Sequence, residues 1–166
     1  MPIMTPLFRV GHGYDVHAFA VGRPLWLGGM HFPDSPVGLA GHSDADVLLH
    51  ALCDALLGAA GLADIGKYFP PSDQKHKDRA SIEFVGEVRI LLLERGWQVG
   101  NVDVTVIAEI PKIGPRADEM KAVIAKALQV PREAVGIKAT TSEGLGFVGR
   151  AEGICAHAVA LIYREE

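Results

Sequence analysis

The chain has 166 residues, 49% of them hydrophobic and 22% charged, with a formal net charge of −4. That length supports one domain with its own core, over 1–166, and the apolar content excludes a disordered chain. The acidic balance gives no electrostatic reason to bind nucleic acid or an anionic membrane, so an anionic ligand has to be met by local donors or a metal. The 19 glycines and 10 prolines, against 7% aromatic residues, point to close backbone approach and shaped loops. Cys53 and Cys155 sit in apolar contexts and read as reduced thiols. No apolar stretch is long enough to span a bilayer and no signal or transit pattern is present, so a cytoplasmic location is expected.

In chain order, residues 1–6 read as a loose leader, and Phe8 to Phe19 as a strand broken by Gly11 and Gly13. Within it, Asp15 and His17 stand two apart, so a strand presents the carboxylate and the imidazole on one face and Val16 on the other. Leu25 to Phe32 reads as a second strand and hairpin partner of the first, followed by a Pro- and Gly-rich loop to Gly41. Next comes Gly-His-Ser-Asp-Ala-Asp-Val-Leu-Leu-His-Ala-Leu-Cys-Asp, residues 41–54. Ser43 as N-cap, with Asp46 three residues on, predicts a helix from near Asp44 and puts Asp46, His50 and Asp54 on one face. Apolar residues cover the rest of the circumference, so this stripe needs a partner, and a metal or a phosphate would supply one. A hydrogen-bonded core histidine explains His50 alone equally well. Asp15, His17 and His50 together make an O/N/N set suited to zinc with one coordination position open.

Gly61 to Asp73 begins compactly and ends as an exposed loop at Pro70 and Pro71, and the charge run Lys75 to Arg79 reads as a solvated turn. Ala80 to Arg95 reads as a scaffold helix closed by Gly96. Val99 to Ile110, Arg116 to Leu128 and Val135 to Thr140 form a strand, a helix and a strand, a β-α-β unit in the C-terminal half with parallel strands if the two are adjacent. The loop Ala108 to Gly114 follows a strand's carboxyl end, where such sheets bind ligands. Thr140 to Arg150 collects three hydroxyls, a carboxylate, three glycines and an arginine, a set suited to phosphate and a hard cation; the bland alternative is a capping box from Thr140 to Glu143. Ile154 to Tyr163 is apolar or small on both faces, as in a strand covered on both sides, which points to an oligomer interface. The fold class is α+β, a mixed sheet with helices packed on one face.

Gly-Tyr-Asp-Val-His-Ala-Phe, the 41–54 motif with its Ala-Leu-Leu-Gly extension, Asp-Ile-Gly-Lys-Tyr-Phe-Pro, Asn-Val-Asp-Val-Thr-Val-Ile-Ala, Pro-Lys-Ile and Lys-Ala-Thr-Thr-Ser-Glu-Gly-Leu-Gly-Phe-Val-Gly-Arg occur in this order. In them the chain resembles the 2-C-methyl-D-erythritol 2,4-cyclodiphosphate synthase family of the non-mevalonate isoprenoid pathway, over nearly its whole length from Val10. The resemblance implies a homotrimer with sites between subunits. It implies cyclisation of 4-diphosphocytidyl-2-C-methyl-D-erythritol 2-phosphate with release of CMP. Zinc would be held by Asp15, His17 and His50, with Val16 also at the substrate, and His42 and Thr141 would stabilise the transition state. His42 and Ser43 would touch the erythritol phosphate, while Asp64, Ile65 and Gly66 with Phe69, Pro70, Pro71, Ser72 and Asp73 line the substrate. Ala108, Glu109, Ile110, Pro111, Lys112, Ile113 and Gly114 would hold the cytidine. Thr140, Thr141, Ser142 and Glu143 would grip the diphosphate, with Glu143 on Mg²⁺ or Mn²⁺, and Phe147 and Arg150 would complete the site. Two positions depart from the family pattern, His157 where an acidic residue is expected and Tyr14 where Phe is common. Two rival readings keep the same residues: a zinc phosphoesterase with water as nucleophile, and a non-enzymatic nucleotide-binding trimer.

Overall fold

The structure is a computed structural model and describes residues 7–165; the leader expected over 1–6 lies outside the described residues. Its first strand, β1 (Phe8–Val21), runs unbroken through Gly11 and Gly13. The short β2 (Trp26–Leu27) and β3 (Met30–His31) pair with each other rather than with β1, and β4 (Val37–Leu39) takes the expected hairpin position on β1. After these come α1 (Val47–Ala59), α2 (Ile65–Tyr68), α3 (Ser81–Leu93), β5 (Gln98–Ile107), α4 (Ala117–Leu128), β6 (Val135–Thr140), α5 (Gly146–Gly149) and β7 (Gly153–Tyr163). The main sheet has the order β4-β1-β7-β5-β6, with β5 and β6 parallel and the other neighbours antiparallel. The expected β-α-β unit is therefore β5-α4-β6.

The two glycines that looked like strand breakers set how closely α1 approaches the sheet. A Cβ on Gly11 would lie 2.0 Å from the Ala55 carbonyl oxygen, and one on Gly13 would lie 1.9 Å from that of Ala51. Only a bare Cα lets the helix backbone lie directly on β1. Ten of the thirteen α1 residues are buried, so this helix is the centre of the core rather than one side of it. Burial of a Leu side chain stabilises by about 1.5 to 3 kcal/mol, and Leu48, Leu49, Leu52, Leu56 and Leu57 are all fully covered. The remaining long helices complete the layer, α3 against α1 and α4 against β6. Gly96 adopts φ 74 and ends α3 as expected.

The opposite face of the sheet is open. In β7, Ile154, Ala156, Ala158, Ala160 and Ile162 are buried under the helices while His157 and Val159 are exposed, so one chain covers a single face of a strand expected to be covered on both. On β1 the same open face carries Phe8, Val10, Tyr14 and Val16, with Phe8 63% and Val10 61% exposed. No helix among the described residues is long and apolar enough to cross a membrane. Both cysteines are free and buried.

Candidate active site and metal centre

The α1 helix starts later than its sequence suggests, because Asp46 rather than Ser43 is its N-cap. The Asp46 carboxylate accepts from the Leu49 N–H and reaches back to the Gly28 and Gly29 N–H groups at 3.0 and 2.8 Å. It is fully buried, and burial with the nearby Asp44 charge raises its pKa to about 6 against the opposing pull of those N–H donors. Asp54 likewise serves the backbone, accepting from Ile65 N–H at 2.8 Å. Two members of the polar stripe thus satisfy local amides, and His50 alone of the three reaches the site.

His50 meets Asp15 and His17 of β1. The His17 Nε2 and His50 Nδ1 atoms lie 3.0 and 3.2 Å from Asp15 Oδ2 and 3.2 Å from one another. The outer ring nitrogens fix the tautomers. His17 Nδ1 is 2.5 Å from the Ala40 carbonyl, which only accepts, so that nitrogen carries the proton. His50 Nε2 is 2.8 Å from Ser81 Oγ, whose hydroxyl donates to Asp44, so Nε2 is again the donor. Both inner nitrogens of the neutral rings therefore turn lone pairs toward an acidic oxygen that itself has no hydrogen-bond partner. Three acceptors facing one another repel unless a cation lies among them. The three form the group among the described residues that can hold a metal ion. Ala40, Ser81 and Asp44 play the outer part that orients ligand imidazoles.

The same geometry sets the protonation of the metal-free cluster. Burial would raise the Asp15 pKa, but once a proton occupies an inner ring nitrogen, the hydrogen bonds and charge that His17 and His50 then offer outweigh burial and hold the carboxyl at about 2. Burial would lower that of His17, and the Asp15 carboxylate with the Ala40 carbonyl reverses this and raises it. Without a metal, a proton is the cation.

A cleft of about 180 Å³ opens beside the three, lined by His17, His42, Ser43, His50, Ile65, Gly66, Phe69, Pro71, His76 and Phe84. A second, of about 330 Å³, lies between the Ala108 to Pro115 loop and Ala139 to Thr141. There the Glu109 carboxylate accepts from Ser142 N–H at 2.9 Å and so ties the two loops together. The Thr141 hydroxyl donates to Glu143 at 3.1 Å, and both side chains are exposed. Thr140 ends β6 and Glu143 has φ 51, so no capping box forms. In the sheet register Asp15 aligns with Ala156, Val106 and Ala139, which puts both clefts at the same end of the sheet. Three strand spacings of about 4.8 Å separate them, roughly 14 Å.

The model of the YgbB family matches residues 8–163. The chain belongs to the YgbB family. It is 55% identical over 163 residues to the 2-C-methyl-D-erythritol 2,4-cyclodiphosphate synthase of Xylella fastidiosa, covering 98% of this chain and 92% of that protein. The Plasmodium falciparum IspF, solved as a CDP complex, superposes with a TM-score of 0.85 at 31% identity, over 98% of this chain and all of the other. The bifunctional IspDF of Campylobacter jejuni superposes with a TM-score of 0.91 at 39% identity over 96% of this chain, which spans 43% of that longer protein.

This YgbB chain gathers most of the residues picked from its sequence into the two clefts, and leaves some outside. His17, His42, Ser43, His50, Ile65, Gly66, Phe69 and Pro71 share the first, with Asp15 behind them against His17 and His50, while Ala108, Glu109, Pro111, Lys112, Ile113, Gly114, Thr140 and Thr141 share the second. Val16 points its side chain to the open face, away from Asp15 and His17. Asp64 caps α2, and Arg150 pairs with Glu152 at 2.8 Å; Phe147 and Arg150 line neither cleft. The charge run 75–79 is the main correction. Lys75, Lys77 and Asp78 are exposed as a solvated turn would have them, but the backbone is tied to the 42–44 loop, Asp78 N–H donating to the His42 carbonyl and Asp44 N–H to that of Arg79, and His76 is buried to 2% exposure. Ser81, His76 and Phe84 were not foreseen as site residues, since no spacing links them to the metal motif.

Proposed function

We propose that the chain is a 2-C-methyl-D-erythritol 2,4-cyclodiphosphate synthase. The observation that carries the reading is the set of three converging acceptors, Asp15, His17 and His50, beside a cleft on a chain 55% identical to a protein of that name. The substrate is 4-diphosphocytidyl-2-C-methyl-D-erythritol 2-phosphate. Its 2-phosphate oxygen bonds to the β-phosphorus, the bond from that phosphorus to the bridging oxygen breaks, and CMP leaves with the electron pair. Both reacting groups are anions, so catalysis consists of positioning and charge neutralisation, without a side-chain nucleophile.

Asp15, His17 and His50 would hold zinc, a borderline-soft ion matched to one oxygen and two imidazole ligands. Bound there, zinc supplies positive charge at the phosphate oxygens. His42 and, deeper in the cleft, Ser43 bind the erythritol phosphate. The Nε2 atom of His42 is held by the Asp73 carbonyl at 3.3 Å, a long contact that a phosphate oxygen can replace. Ile65, Phe69, Pro71 and Phe84 wall the cleft and keep water off the line of attack, which separates cyclisation from hydrolysis. In the second cleft, Ala108 to Gly114 hold the cytidine, and Thr140, Thr141 and Ser142 bind the diphosphate, with Thr141 donating to charge that develops in the transition state. The exposed Glu143 would hold Mg²⁺ or Mn²⁺. The capture of CDP by the Plasmodium falciparum relative supports a nucleotide diphosphate as the class of ligand.

The assembly reading is a homotrimer in which the first cleft of one subunit faces the second cleft of its neighbour. Its support is the apolar open face of β1 and β7 and the separation of the two clefts within one chain. Metal analysis and mass spectrometry of the products test the function together. CMP with a cyclic diphosphate confirms the synthase. A linear monoester makes the protein a phosphoesterase, and nucleotide binding without turnover makes it a binding protein.

A further inference from the structure

His76 has no place in the mechanism above. It is 2% exposed, and neither Nδ1 nor Nε2 has a hydrogen-bond partner. Its ring is wedged edge-on against Phe69 and Phe84 with centroids 5.6 Å from each, and those two rings stack at 4.5 Å. An apolar ring would fill this niche without leaving buried polar atoms orphaned, which is a net cost to the folded state. The carboxylate oxygen of Asp73 stands 4.0 Å from His76 Nε2, beyond hydrogen-bond range, and is held instead by Lys75 at 2.9 Å. That lysine is 68% exposed, so giving up the pair to water is inexpensive. Asp73 also holds His42 through its carbonyl, and Pro71, two residues before it, lines the cleft.

We propose that His76 is a positioning residue, which donates from Nε2 to the Asp73 carboxylate when the cleft is filled and so fixes the Pro71–Asp73 corner and His42 against the substrate. The inference rests on the cyclodiphosphate synthase reading. The movement required is about 1 Å, the difference between the present separation and an ordinary hydrogen bond. The pairing gives the buried imidazole the partner it lacks in the free enzyme.

The test is steady-state CMP release by the wild type, His76→Phe, Asp73→Ala and the double variant, with melting temperatures for each. His76→Phe keeps the ring packing and deletes both nitrogens. We expect its melting temperature to be unchanged or higher, its kcat/KM to fall about tenfold, and the double variant to be no worse than Asp73→Ala alone. His76→Gln, which keeps a donor, recovers part of the loss, and His76→Leu, which also deletes both nitrogens, serves in place of His76→Phe if that variant fails to fold. Wild-type kinetics in His76→Phe, or losses that multiply in the double variant, overturn the proposal. A wild type that releases no CMP refutes the functional reading instead.

Discussion

Of the site residues, Asp15 shows most directly how chemistry follows from placement. Its Oδ2 faces two imidazole lone pairs, so the cluster needs a cation, and which cation is present depends on pH. His17 has a folded pKa raised above its ordinary 6.5, so its pairing with Asp15 adds stability to the metal-free protein at pH below 6.5 and loses it as pH rises through the folded value. Asp15, held at about 2, adds stability above the ordinary 3.8 and loses it as pH falls toward 2. A zinc ion bound as proposed would have to displace the His17 proton. Below the folded pKa of His17, each unit of acidification should therefore lower apparent zinc affinity about tenfold, as a chelator-competition titration across pH would show. Asp15→Asn and His50→Ala should each lose zinc and turnover while the melting temperature of the metal-free protein moves little. Wild-type zinc content in both variants contradicts the ligand assignment. Thr141→Val deletes an exposed hydroxyl and keeps the branched shape. Its turnover should drop by the equivalent of roughly 2 to 4 kcal/mol with substrate affinity nearly intact, and an equal loss in both would make Thr141 a ground-state contact.

At the scale of elements, α1 couples the core to the site. Its N-terminus is fixed by Asp46, which holds three backbone amides at once, two of them in the β2-β3 hairpin. Asp46→Ala should cost about 3 kcal/mol in urea unfolding, since it strands buried N–H groups; Asp46→Asn, which keeps an acceptor, should cost less. The seat of α1 on β1 is set by Gly13. Gly13→Ala places a methyl 1.9 Å from the Ala51 carbonyl oxygen and must push the helix away. A loss of about 3 kcal/mol or more is expected, together with weakened zinc binding, because His50 rides on α1 and its two partner ligands on β1. Undiminished stability would show that the helix can shift without strain.

For the whole molecule, the open sheet face is the feature that a single chain leaves unexplained. Val10 is 61% exposed within one chain, so Val10→Asp should not disturb the monomer fold. In the proposed trimer it buries a charge. Sedimentation should then show dissociation, with turnover lost and zinc retained, because the metal ligands all come from one subunit. A Val10→Asp protein that stays trimeric and active would move the interface elsewhere.

The sequence by itself determined the periodic and the local: the buried helix near residues 47–59, the β5-α4-β6 unit, the end of α3 at Gly96, and the strand that puts Asp15 and His17 on one face. These follow from side-chain periodicity and turn chemistry, which act over a few residues. The separate motifs carried the resemblance to the family, and with it many, though not all, of the residues that line the two clefts. Other features were decided only by tertiary structure, because they depend on pairs distant in the chain. Gly11 and Gly13 read as breaks in a strand, yet they are contacts to a helix some forty residues on. Asp46 and Asp54 share a helix face with His50, but amides at Gly28, Gly29 and Ile65 claim them. His76 sits among charged neighbours and reads as solvated; it is buried because Phe69 and Phe84 come together around it. Spacing can place a side chain on a face. What that face meets is settled when the remaining elements pack, since burial and hydrogen bonding depend on the partner as much as on the residue.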